Sequence, residues 1–178
     1  MLDSISLEKI VFLDIETVPA YADYHSLNDI EKELWMNKVQ FLRRNESDSA
    51  ESLYPRAGIY AEFGKIVCIS AGHFTRENNK RSFNITSFFS DSEKEVLDRF
   101  ILFLNKIGNS GTLLCAHNGK EFDFPYLCRR MIINRLKIPE VLNISGKKPW
   151  EVNHLDTMEL WRFGDYKSYT PLKLLTYV

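Results

Sequence analysis

Asp14 and Glu16 stand two residues apart at the end of an apolar run, Val11-Phe12-Leu13-Asp14-Ile15-Glu16-Thr17. Side chains alternate along a strand, so both carboxylates point to one face, with Cα atoms about 7 Å apart. Two like charges beside buried residues repel, and loss of water sharpens the repulsion. A bound cation relieves it. Oxygen donors with no Cys or His between them favour a hard ion such as Mg2+ or Mn2+. The same pair also suits an acidic loop opening after a buried strand, so by itself it leaves both readings open.

A second acidic segment lies about a hundred residues later, His117-Asn118-Gly119-Lys120-Glu121-Phe122-Asp123-Phe124-Pro125-Tyr126-Leu127. It directly follows an apolar run, and strand ends are where open α/β sheets place ligands. Asp123 opens an expected helix, where an acid is also favoured simply by the helix dipole. Gly119 permits positive φ or a close backbone approach.

The elements that must position these acids follow from the apolar pattern. Ile10 to Ile15 reads as a central strand buried on both faces. Leu27 to Arg44 is helical in character, with Leu27, Ile30, Leu34, Phe41 and Leu42 at helical spacing. Asn45 to Ala50 reads as loop. Lys65–Ser70 and Ser82–Phe89 form a strand hairpin across a polar connection. Asp91 or Ser92 caps a helix running to Ile107, ended by Gly108 and Gly111. Thr112 to Ala116 is a fourth strand, a helix begins near Phe122, His154 to Met158 is a short fifth strand, and Pro171 to Val178 starts a last helix. This order argues for an α/β domain with an antiparallel part, the first and fourth strands being parallel.

Length and composition bound the rest. The 178 residues and 44% hydrophobic content suit one domain with a real core. A net charge of −1 gives no global basic field, so contact with a polyanion must come from local clusters: Arg43-Arg44, Arg129-Arg130 or Lys147-Lys148. Cys68, Cys115 and Cys128 show no metal spacing, and the first two read as buried thiols. An odd cysteine count, with no apolar stretch of membrane-spanning length and no signal-peptide core, reads as cytoplasmic.

"FLDIET" followed by "HNGKEFDFPYL", with "AEFGKIVCIS" between them, resembles the first and second motifs of the DEDD 3′→5′ exonucleases. The chain is most similar to stand-alone relatives of the proofreading exonuclease domain of family-B DNA polymerases. The resemblance implies an RNase H-like fold: a mixed five-stranded sheet, three antiparallel strands and then parallel ones, flanked by helices. It implies one exonuclease domain over 1–178, with 19–62 as a helical insertion whose Lys38, Arg43 and Arg44 would guide the strand. It implies that Asp14, Glu16 and Asp123 hold two Mg2+ or Mn2+ ions. It implies that Thr17 and Asn118 contact substrate, and that Asp156 supports the site without binding metal. The implied substrate is a nucleic-acid 3′ end, single-stranded DNA by preference.

The chain departs from the pattern in one respect. The family's third motif places a Tyr or His four residues before a fourth acid. After Asp123 the only Asp residues are Asp156 and Asp165, preceded at that spacing by Val152 and Trp161. The expectation is therefore a C-terminally truncated domain. A catalytically incomplete nucleic-acid-binding module of the same fold is the alternative. His154, at the wrong spacing for a base, reads as a structural histidine.

Overall fold

The computed structural model describes residues 5–108, 111–167 and 169–178. Its centre is a five-stranded sheet in the order β3-β2-β1-β4-β5. The strands are β1 (Ile10–Pro19), β2 (Gly64–Glu77), β3 (Lys80–Phe89), β4 (Leu113–Ala116) and β5 (Leu155–Asp156). β1 pairs antiparallel with β2, and β2 with β3. β1 pairs parallel with β4, and β4 with β5. This is the mixed, RNase H-like arrangement expected.

The β2–β3 connection is a two-residue turn in which Asn78 (φ 49) and Asn79 (φ 62) both take the left-handed conformation. That matches the right-handed twist of the flanking strands, and Asn tolerates it better than most residues. Helices α3 (Glu93–Ile107) and α4 (Asp123–Ile133) pack on one face of the sheet. Val96, Leu97, Phe100 and Leu104 from α3 and Phe124, Leu127 and Met131 from α4 meet Val11, Leu13, Ile15, Ile69, Ala71 and Phe88. Ser92 caps α3.

β1 is central, but it is not buried on both faces. Leu13 and Ile15 are buried, whereas Asp14 and Glu16 between and beyond them are exposed. The strand runs four residues past Ile15 because β2 continues to pair with it as far as Pro19. Cys115 is buried as expected, but Cys68 is only partly so, since it shares the open face with Glu16, its cross-strand partner.

Between β1 and β2 lie α1 (Asp29–Gln40), α2 (Ala50–Leu53) and a 3-10 segment, Tyr54–Ile59. They enclose a second small core of Leu27, Trp35, Val39, Leu53, Tyr54 and Ala57. α1 does not use the apolar face expected of it: Ile30, Leu34 and Phe41 are exposed. Trp35 decides the helix orientation instead. It is fully buried, its indole N–H donates to Ala50 O at 2.7 Å, and it packs edge-on against Tyr54 and Phe63. The bulk of an indole and its need for an acceptor outweigh the spacing of aliphatic residues. Ala50, expected in a loop, opens α2 because Ser49 and Ser52 form a capping box.

Glu93 joins the two layers. Its carboxylate accepts from Ile66 N (2.8 Å), Arg130 Nε (2.8 Å) and Asn134 Nδ2 (2.9 Å), with a further charged bond from Arg130 Nη2. Arg130 Nη1 donates to Ala61 O at 2.8 Å. After β5 the chain turns into α5 (Thr157–Arg162), so Met158, expected in the strand, is helical, because Asp156 caps that helix. The last helix, α6, covers only Leu172–Leu175. Among the described residues no helix is long and apolar enough to cross a membrane.

Candidate active site

The parallel pairing of β1 and β4 brings the two acidic segments to the same end of the sheet. β4 stops at Ala116 while β1 continues, which leaves the backbone of β1 open on that side. Asp123, in the first turn of α4, fills the gap: its Oδ1 accepts from Ile15 N at 3.2 Å. Asp123 is only 3% exposed.

Asp14 and Glu16 do share a face, opposite Ser70 and Cys68 of β2. Burial and then the nearby Asp14 charge push the Asp123 carboxyl up to about 7, against the pull of backbone donors that include Ile15 N–H. Asp14, though open to solvent on one side, is held above the ordinary carboxylate value by the partial loss of water around its carboxyl, with His117 opposing. Burial together with a like charge favours the neutral form of Asp123. Among the described residues neither acid forms an ion pair with Lys or Arg.

The turn after β4 is set by Asp156. Its carboxylate accepts from Asn118 N (2.9 Å), Lys120 N (3.1 Å) and Met158 N (2.9 Å). All three donors are backbone amides, so Asp156 shapes the turn that delivers Asp123. Asn118 takes the left-handed conformation, φ 62, and its carbonyl accepts from Glu121 N and Phe122 N. Gly119 answers to close approach rather than positive φ, because a Cβ there would lie 2.4 Å from that of Ala116. Thr17 stands just past the acid pair, on the side of the strand end where the buried Tyr126 phenol lies. That phenol in turn donates to Gly58 O at 2.8 Å.

His117 is the residue that sequence reasoning passed over. Its Nε2 lies 2.7 Å from Thr170 O, and a carbonyl only accepts, so Nε2 carries the proton. Its Nδ1 is 2.9 Å from Thr157 Oγ1. It thus pins the C-terminal segment beside Asp14. The signal was its place as the first residue after β4, at the strand end where the acids gather. His154, by contrast, is structural as expected: Nδ1 accepts from Leu114 N (3.2 Å) and Nε2 meets Val141 O (2.8 Å).

Residues 59–175 match a family described as a predicted 3′-5′ exonuclease related to the exonuclease domain of PolB. The chain belongs to this family. The matched span takes in Asn118, Asp123 and Asp156 and begins after Asp14, Glu16 and Thr17. Among solved structures, the chain is similar to the family B DNA polymerase from the hyperthermophilic archaeon Pyrobaculum calidifontis, at 14% identity and a TM-score of 0.39, over 75% of this chain and 12% of the polymerase. No curated protein matches the chain.

Exonuclease domains of this type generally use divalent metals. Asp14 and Asp123 are oxygen-only donors, and the Asp14 charge raises the need of buried Asp123 for a cation, which fits a hard divalent ion in chemistry. In position the fit is incomplete: among the described residues no group of three or more His, Cys, Asp and Glu side chains is placed to hold a metal ion. The structure therefore brings Asp14 and Asp123 together and leaves Glu16 on the same face without closing a three-acid group.

Proposed function

We propose that the protein is a metal-dependent 3′→5′ exonuclease that hydrolyses phosphodiester bonds at the 3′ end of single-stranded DNA. The observation that carries the reading is Asp123, a buried acid raised to about 7 and hydrogen-bonded to the backbone between Asp14 and Glu16. Strongly perturbed acids in such a place mark functional sites. In this reading Asp14, Glu16 and Asp123 hold Mg2+ or Mn2+. When bound, such ions lower the pKa of an attacking water and stabilise the leaving 3′ oxygen.

The chain's own groups supply position. Asp123 is fixed by Ile15 N–H, so its second carboxylate oxygen remains for an ion. Asp156 holds the turn from which Asn118 reaches the terminal nucleotide. Thr17 offers its backbone to the same nucleotide. We take the chain as one exonuclease domain with 19–62 as a helical insertion, a reading supported by the separate small core around Trp35. Three free cysteines agree with a reducing, cytoplasmic setting.

The test is mononucleotide release from a 5′-labelled single-stranded oligonucleotide with Mn2+. Where the domain carries its third motif, Asp14→Ala and Asp123→Ala should each reduce release to background; the 178-residue chain, lacking that motif's base and fourth acid, is expected to cleave weakly if at all. Release that survives both changes sinks the assignment. Salt-dependent oligonucleotide binding with no cleavage even where the third motif is present would instead establish the binding-module alternative.

A further inference from the structure

A cleft of about 570 Å3 lies between α4 and the segment that follows it, outside the acid site. Ile132, Ile138 and Ile144 contribute to a mainly apolar lining. Arg129 and Lys147 line its rim, and both are exposed and unpaired in the ion pairs formed among the described residues. Arg129 and Arg130 have parted company: Arg130 is buried against Glu93, leaving Arg129 free to face the cleft. Three residues beyond Lys147 stands Trp150, 74% exposed, with Lys148 Nζ 5.1 Å from its ring centroid.

The cleft opens beside the acid site, because Lys120 and Glu121 line it and belong to the turn between Asn118 and Asp123. Lys120 is not free for a ligand, since Glu159 holds its ammonium at 2.7 Å. Glu121 is the acidic lining residue. From 120 to 152 the sequence carries seven Lys and Arg against four Asp and Glu, on a chain whose net charge is −1. The cationic surface is therefore local to this part of the molecule.

An apolar wall under a cationic rim, of a volume that takes a small organic ligand, suits a flat base joined to an anionic linker. We propose that this cleft holds an internal nucleotide of a single strand whose 3′ end lies at Asp14 and Asp123. Its base rests on the apolar wall and its phosphates meet Arg129 and Lys147. Trp150 offers a stacking surface for a neighbouring base. The inference rests on the exonuclease reading for the direction of the strand, and it adds where the strand is gripped.

The experiment is fluorescence anisotropy with 5′-labelled oligo(dT) of twelve and of three nucleotides, without added Mn2+. The double variant Arg129→Glu/Lys147→Glu should weaken twelve-mer binding by about tenfold or more and flatten its salt dependence. Binding of the trimer, which brings fewer phosphates to Arg129 and Lys147, should change by less than about twofold. Both side chains are exposed, and an unchanged thermal unfolding curve confirms a folded variant. Equal weakening at both lengths, or none at either, overturns the proposal. So does displacement of the twelve-mer by poly-glutamate at equal charge concentration, which would make the cleft a site for acidic protein. Length-dependent weakening together with no Mn2+-dependent release even where the third motif is present supports the cleft and sinks the nuclease reading alone.

Discussion

Helix α4 carries two buried charged groups about two turns apart, and the fold treats them in opposite ways. Arg130 meets Glu93 with its full guanidinium fork, and Asn134 and Ile66 N occupy the remaining lone pairs. These bonds overcome burial, and the Glu93 carboxyl lies below its ordinary value. Asp123, at the start of the same helix, faces Asp14 and has the N–H of Ile15, distant in sequence, as its donor. One buried acid is complete as it stands. The other is held in a position that its own charge opposes. A fold that supplies an arginine for Glu93 and, among the described residues, none for Asp123 marks the second acid as a site awaiting a cation.

The contrast can be broken most severely at Arg130. Arg130→Met strands a buried carboxylate and should cost about 3–5 kcal/mol in urea denaturation at pH 7. Adding Glu93→Gln should recover much of that loss. A cost below about 1 kcal/mol would mean that the pair is not the complete site described.

Asp123→Asn should act in the opposite direction. A carboxyl raised to about 7 contributes stability that is full below its ordinary value near 4 and lost as pH rises through 7. A permanently neutral amide keeps that contribution. Asp123→Asn should therefore stabilise the metal-free chain at pH 8 by about 2–4 kcal/mol, with the gain vanishing toward pH 4. Mn2+ should stabilise the parent chain at pH 8 more than at pH 5, and should barely affect the variant. Destabilisation at pH 8 would show that Asp123 has a partner after all.

Asp14→Asn should remove the neighbouring charge and lower the Asp123 midpoint by about one unit. Carboxyl carbon chemical shifts followed against pH would report it, and an unmoved midpoint would uncouple the two acids. The smallest effect belongs to Glu16→Gln. This residue is exposed, so stability should move by no more than about 0.5 kcal/mol. The Mn2+-induced stabilisation should nevertheless fall, and a full response would remove Glu16 from the ion site.

Much of this frame was legible in the sequence because the relevant signals are local. Alternation around Asp14 and Glu16 set their common face, and the apolar period of residues 96–104 set the buried side of α3. The order of the segments set the parallel β1–β4 pair that joins the two acidic motifs. What escaped depends on long-range partners. Nothing near Arg130 announces Glu93, which is 37 residues away in sequence. His117 looked like loop until Thr157 and Thr170 came within reach of its ring. The orientation of α1 turned on one tryptophan whose acceptor lies in another helix. Cys68 and β1 were read as more buried than they are because an apolar run does not reveal that one sheet face stays open.

The register slip after Glu16 bears on how this family can change length. Glu16 pairs with Cys68, but Thr17 pairs with Ile66, so Val67 is an extra residue in β2. That extra residue turns Ile66 into the core, 1% exposed, and brings its N–H to Glu93. A gain or loss of one residue at position 67 is therefore absorbed where it occurs. Removing one residue between Phe12 and Ile15 has no such outlet, because every side chain on one side of the cut would change face. Natural variants of this chain should accumulate single-residue gaps around position 67, while the spacing that presents Asp14 and Glu16 stays fixed.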